Sequence, residues 1–402
     1  MASIRPSTLL LRVDGFGWQD CLATGPGSAI LGSLLFSALF PAPMSVKFLL
    51  RVAGTLLLAW AAAAACVALH TPLPWMLGPL VATSVLSMAG APTESWGPLR
   101  NGGQWAIGAA LGLYFTPEVS ALVGSLWWAI VLGIGWALLL GWGFGAWLYR
   151  LHAPRMHGVP ASMLRSTSYF AGAIGAASEM TLLSERENAR TDLVAASHSL
   201  RLLIVTITIP FALQWSGLQG LDILIPTVRD VSWPGLALLA LLTGAGALVM
   251  DRLGRANPWF MGAMLVSMAV TMAGLHLSAV PQALVNAAQL VIGVSLGVRF
   301  RAEFLHTAPR WLASVAVGTF GLMGICAAFA AVLAWATGLP WVTLLLGTSP
   351  GGITEMAITA KVLQLGVPVV TAFQVCRLIA VLMLVGPMFR RIYPPTEGGS
   401  AI

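Results

Sequence analysis

Charged side chains are scarce: Asp, Glu, Lys and Arg make up 9% of the 402 residues, where a soluble domain carries about a quarter. A chain so poor in water-seeking groups is not an ordinary cytosolic enzyme. Cysteine is equally thin. Cys21, Cys66, Cys326 and Cys376 lie far apart without metal-type spacing and read as small apolar packing residues, neither redox pair nor disulfide framework. Of the six histidines only His152 and His157 are near neighbours, so no ligand cluster for a metal enzyme is evident. A Ser/His/Asp nucleophile elbow, a GxGxxG turn after a strand and a Walker loop are also missing. The sequence therefore points to no enzyme and to no cofactor.

What is abundant is apolar: 58% of residues, with 43 glycines and 24 prolines scattered through long apolar runs and a mean hydropathy of +0.86. The fold class that follows is an all-α polytopic membrane protein whose principal partner is a lipid bilayer. The 21 Lys and Arg exceed the 14 Asp and Glu, but they punctuate the ends of apolar segments and form no basic face. They read as cytoplasmic loop charges, and direct nucleic-acid binding is not expected. The location expected is a bacterial inner membrane with both termini cytoplasmic.

Residues 1–43 form a poorly defined, Gly/Pro/Ser-rich extension. From Met44, an alternative start, Lys47 and Arg51 precede an Ala/Leu run to Leu69 that reads as an uncleaved first span. The rest is duplicated. Pro74-Trp75-Met76-Leu77-Gly78 returns as Pro258-Trp259-Phe260-Met261-Gly262, and Met88-Ala89-Gly90 as Met272-Ala273-Gly274, both at an offset of 184. Gln104, Ile107, Gly108, Leu111, Gly112, Phe115 and Glu118 return as Gln289, Ile292, Gly293, Leu296, Gly297, Phe300 and Glu303 at 185. Gly175-Ala176-Ala177-Ser178-Glu179-Met180 matches Gly351-Gly352-Ile353-Thr354-Glu355-Met356, and Arg201 matches Arg377, at 176. The chain thus divides into membrane repeat 1 at 44–215, membrane repeat 2 at 216–391 and a polar tail at 392–402.

Each copy holds five stretches near the about 20 residues a crossing needs, plus a Gly/Ala/Ser-rich stretch at 161–183 or 341–361. If the additional stretches cross, the copies are parallel and twelve spans place eight basic residues outside, against the positive-inside rule. If they dip in and return, about ten transmembrane helices form two inverted five-span repeats, each with a Gly-rich re-entrant or broken element, and only Arg229 and Lys361 lie outside. The inverted arrangement is the expectation.

Candidate chemistry gathers at the additional stretches. Ser349-Pro350-Gly351-Gly352 places a helix breaker and two flexible residues before Thr354 and Glu355, freeing backbone groups that membrane depth tolerates only around a protein-lined or watery cavity. Ser178 and Glu179 occupy the matching places. Glu179 and Glu355 are the acids within the hydrocarbon layer, and Arg201 and Arg377 are equally misplaced bases. Two readings stay open. Either buried Glu–Arg bridges hold the halves together, or the glutamates bind H+ or Na+ while the arginines bind an anionic solute. Gln104 and Gln289, on the GxxxG faces of the third spans, are either interhelical glue or solute contacts.

These motifs resemble the AbrB-type membrane protein family. The resemblance rests on Leu73-Pro74-Trp75-Met76-Leu77-Gly78-Pro79, the Gln-x-x-Ile-Gly-x-x-Leu-Gly pattern at 104–112 and 289–297, and Ser349 to Met356, and covers roughly 50–390. One departure is that Ile174-Gly175-Ala176 stands where the second copy has Pro350-Gly351-Gly352, which implies a milder first interruption. Members are labelled regulators of gene expression, sometimes ammonia monooxygenases. The chain lacks the clustered His or carboxylate ligands that copper or di-iron chemistry needs. Two functions remain. One is a secondary transporter of a small polar or anionic solute, in which rocking of the two copies alternates access. The other is a membrane-bound regulator acting through a sensed solute or protein partner. The solute, coupling ion, direction and oligomeric state stay open.

Overall fold

The computed structural model describes residues 45–154, 156, 158–217, 230–300 and 308–394. The extension at 1–43, Met44, His157, Arg229, Glu303, His306 and residues 395–402 of the tail lie outside the described residues. The described residues from Leu50 onward belong to one compact unit.

The described secondary structure is entirely helical. The first copy contributes α1 (Val46–Ala68), α2 (Pro74–Met88), α3 (Gly97–Gly112), α4 (Pro117–Ser125), α5 (Trp127–His152), α6 (Ala161–Gly172), α7 (Ala177–Arg186) and α8 (Thr191–Ser216). The second contributes α9 (Trp233–Arg252), α10 (Pro258–Met272), α11 (Gln282–Gly297), α12 (Pro309–Thr337), α13 (Trp341–Thr348), α14 (Ile353–Val362) and α15 (Val367–Ile392). Their order follows the offsets in the sequence. α2 and α10 begin alike, with proline in the first turn after a left-handed residue, Leu73 or Asn257.

α1, α5, α8, α9, α12 and α15 are long and apolar enough to cross a membrane, and α3 with α4 forms a seventh candidate bent by 89°. α2, α10 and α11 are apolar but shorter, at 15 or 16 residues. This is a polytopic helical architecture. The additional stretches at 161–183 and 341–361 are both interrupted helices, α6 with α7 and α13 with α14. The first break, at 173–176, is as complete as the second, although it lacks a proline.

The helices sort into two bundles, each drawn from both copies. In one, α3 packs along α10, α11 along α2 and α3, and α9 along α10. In the other, α5 packs on α6 and α15, α12 on α8 and α13, and α15 on α13 and α14. Glycines decide the first bundle. A methyl group at Gly108 would stand 2.4 Å from Phe260 O, and one at Gly293 would stand 2.5 Å from Met76 O. Each GxxxG face therefore lies backbone to backbone against the Pro-Trp helix of the opposite copy.

Candidate functional site

The two interrupted helices converge on a cavity of about 380 Å³ between the bundles. Their limbs are 8 to 12 residues long, or about 12–18 Å at 1.5 Å per residue, roughly half a hydrocarbon core. Such limbs leave helix ends at the breaks, and those ends need partners.

Buried arginines supply them. Arg201 on α8 donates to the carbonyls of Ala171 and Gly172, each at 3.3 Å, and of Ala173 at 2.8 Å. His198, one turn earlier, contacts Arg201 through Nδ1 at 2.8 Å and Phe170 O through Nε2 at 2.9 Å. Arg377 on α15 repeats the arrangement, donating to the carbonyls of Ser349 and Gly351 and to Gln374 Oε1. Gln374 donates in turn to Leu346 O at 2.6 Å. A guanidinium at a helix C-terminus satisfies orphan carbonyls and meets the negative end of the helix dipole. The Glu–Arg bridges of the first of the two open readings are therefore absent among the described residues, whose ion pairs are Arg51–Glu94, Arg190–Asp192 and Arg390–Glu187. The carbonyls released by the two breaks are nearer and more numerous than the carboxylates.

The same bonds fix the path of the chain. Arg190 N, just before α8, donates to Thr167 Oγ1 at 2.9 Å, while Arg201, three turns further on, reaches Ala171 to Ala173. Thus α6 and α8 advance in the same direction, and α7 returns the chain to where α6 began. α15 advances beside α13 in the same sense, since Phe373 packs against Gly347 and Arg377 bonds beyond it, at Ser349 and Gly351.

α7 and α14 start at the breaks without side-chain caps, so the positive ends of both helices face the cavity. Each carries its glutamate in the first turn. The two differ in burial: Glu355 is 7% exposed, whereas Glu179 is half-buried, with Ser178 Oγ donating to its Oε2 at 3.1 Å. Glu355 folds over Gly352, where a methyl group would stand 1.9 Å from Oε2.

Nine of the ten residues singled out in the sequence line this cavity: Gln104, Ser178, Glu179, Arg201, Gly351, Gly352, Thr354, Glu355 and Arg377. Gln289 does not. It is buried outside the lining, and its Nε2 has no hydrogen-bond partner among the described residues. Sequence reasoning missed Arg100, Arg255, Arg299, Asp251 and His198, which also line it. His198 was signalled by its place three residues before Arg201, matched by Gln374 before Arg377. Arg100, Arg255 and Arg299 sit at helix ends, where a basic residue looks like an ordinary loop charge.

The family model described as "Transition state regulatory protein AbrB" matches residues 75–393. The chain is similar to the "Putative regulator AbrB" of Escherichia coli (strain K12), 26% identical over 81% of this chain and 91% of that protein. It is also similar to the "Uncharacterized protein YhjN" of Bacillus subtilis (strain 168), 25% identical over 79% of this chain and 87% of that protein. No solved structure matches.

Proposed function

The chain belongs to the AbrB family, and from that premise we propose that it is a carrier that moves a small polar or anionic solute across the cytoplasmic (inner) membrane of a bacterium. The observation that carries this reading is the pair of interrupted helices meeting at one cavity with both helix N-termini and both glutamates turned toward it. Broken helices at corresponding places of two repeats are the hallmark of a carrier's binding site. Five arginines, Arg100, Arg201, Arg255, Arg299 and Arg377, line the cavity against three acids, Glu179, Asp251 and Glu355, which favours an anion. Glu355, buried and without an ion-pair partner among the described residues, is the group to carry H+ or Na+.

Ten spans in two inverted repeats, with α6–α7 and α13–α14 re-entrant, accommodate three contacts that twelve alternating spans would divide between the two faces. These are Arg390 with Glu187 at 2.8 Å, His152 with Ser314 at 3.1 Å, and Gln214 Nε2 with His70 O at 2.9 Å. In this orientation the termini and the cavity mouth at Arg100, Arg255 and Arg299 are cytoplasmic, as the positive-inside rule favours. Because each bundle contains helices of both copies, access alternates by one bundle moving against the other, rather than by copy rocking on copy.

The test is solute flux in proteoliposomes under a proton or sodium gradient, abolished by Glu355→Gln. Inertness toward a broad metabolite panel, or flux that Glu355→Gln leaves intact, overturns the reading. The regulator label of the Escherichia coli relative supports a second reading, a membrane-bound regulator working through a protein partner. It calls for a transcriptional phenotype that Glu355→Gln preserves and that changes around Arg150 to Arg165 remove. Neither reading requires catalysis or contact with nucleic acid.

A further inference from the structure

Arg100 closes the first turn of α3 and Arg299 follows the last turn of α11, and both side chains line the cavity. Neither forms an ion pair with a described residue. Arg100 has its Nε buried without a hydrogen-bond partner and makes only a long bond, 3.4 Å, from Nη2 to Asn101 Oδ1. Arg299 lies within electrostatic reach of the positive Arg100 and of the negative Glu355. Unlike Arg201 and Arg377, this pair caps no helix carbonyls. Arg100 stands at the positive end of α3, where a cation is disfavoured and an anion is welcome. The duplicated framework does not call for the pair either, since the offset of 185 puts Val285 and Tyr114 in the equivalent places.

Two unpaired guanidiniums that line one cavity and feel each other's charge, one of them at a helix N-terminus, repel, and the repulsion is relieved when an oxyanion sits between them. We infer that Arg100 and Arg299 form an oxyanion clamp at the cavity mouth, which takes the carboxylate, phosphate or sulfate group of a soluble solute in competition with Glu355 for Arg299. From the clamp, Leu296, Ser295 and Ile292 continue the lining along α11, about 10 Å at 1.5 Å per residue. The rest of the solute thus points toward the interrupted helices. The inference rests on the carrier reading and names the chemistry of its solute. Neutralising Glu355 strengthens the hold of Arg299 on the anion, so that cation uptake and anion binding favour one another.

The test uses the full chain in detergent, with thermal unfolding followed against succinate, inorganic phosphate and sulfate, and chloride at matched ionic strength as reference. At least one oxyanion is expected to raise Tm with a saturable Kd. Arg100→Gln and Arg299→Gln should weaken it about 10- to 100-fold, and Glu355→Gln should tighten it about tenfold. Arg100→Lys, which keeps the charge and loses the fork, covers the case in which Arg100→Gln fails to fold, and should give a smaller loss. Repeating the titration in nanodiscs of phosphatidylcholine alone should preserve the effect. The clamp is overturned if none of the three oxyanions shifts Tm, if the variants bind as the unsubstituted chain does, or if only phosphatidylglycerol stabilises. Binding is read without flux, so clamp binding in a protein that transports nothing sinks the carrier reading alone. Flux with unchanged binding in the variants sinks the clamp alone.

Discussion

Replacing Gly352 with alanine is the sharpest way to disturb Glu355 without touching it. The backbone there has φ −75° and ψ 151°, a region open to any L-residue, so the change strains no dihedral. The new methyl group would lie 1.9 Å from Glu355 Oε2, 2.9 Å from its Cδ and 3.1 Å from Leu202 Cδ1. Ordinary contact needs roughly 3.5 Å, so the carboxylate has to retreat by about 1.5 Å. Overpacking of this kind costs about 1–3 kcal/mol, and a displacement of about 1 Å at a reacting or binding group can cost up to about 100-fold in rate. We expect Gly352→Ala to lower gradient-driven initial flux about 10- to 100-fold while the protein still unfolds cooperatively in detergent. In a Glu355→Ala background the methyl group meets no carboxylate, so the stability cost of Gly352→Ala should shrink to a few tenths of a kcal/mol. Undiminished flux in the single variant, or an undiminished stability cost in the double variant, refutes the reasoning.

Arg377→Gln strips Ser349 and Gly351 of a charged donor and should cost about 3–5 kcal/mol in detergent unfolding, the usual scale for orphaning buried charged-network partners; a loss under about 1 kcal/mol contradicts the clasp. Gly293→Ala drives a methyl group to 2.5 Å from Met76 O, whereas the same change at Gly102 meets nothing within 4 Å. The first should lower Tm and the second should leave it nearly unchanged, and equal shifts would argue against close α2–α11 packing. Single cysteines at Glu187 and Arg390 should react with an impermeant maleimide from one face of the membrane, and cysteines at His70 and Gln214 from the other. Labelling of Glu187 and Arg390 from opposite faces would restore twelve spans.

Much of the framework was legible because it is written twice. The offset of 184 that pairs Gly78 with Gly262 predicts their matching closeness to Ala62 and Gly246 on the preceding helices. The breaks were legible where proline and paired glycines announce them, and less so at Ile174-Gly175-Ala176, where the interruption depends on Arg201 collecting the freed carbonyls. What an arginine binds is a property of chain reversal, so the carbonyl partners of Arg201 and Arg377 could not be read from spacing, which left only carboxylates or an anionic solute in view. The contrast between Glu179 and Glu355 was hidden for another reason. Matching motifs become unequal when the cavity lies open beside one and closed over the other, and that is set by how the bundles meet. Gln104 and Gln289 share a pattern but not a fate, for the same reason.

The reciprocal seating of α3 on α10 and of α11 on α2 makes the two copies depend on each other. A lone copy leaves its glycine ridge without the proline-led helix that covers it, and its own proline-led helix without a ridge. A single copy on its own would need a twin to cover both surfaces, a role that the other half of the chain fills within one polypeptide. Splitting the coding sequence in the stretch between α8 and α9 should accordingly yield two fragments that persist in cells only when made together.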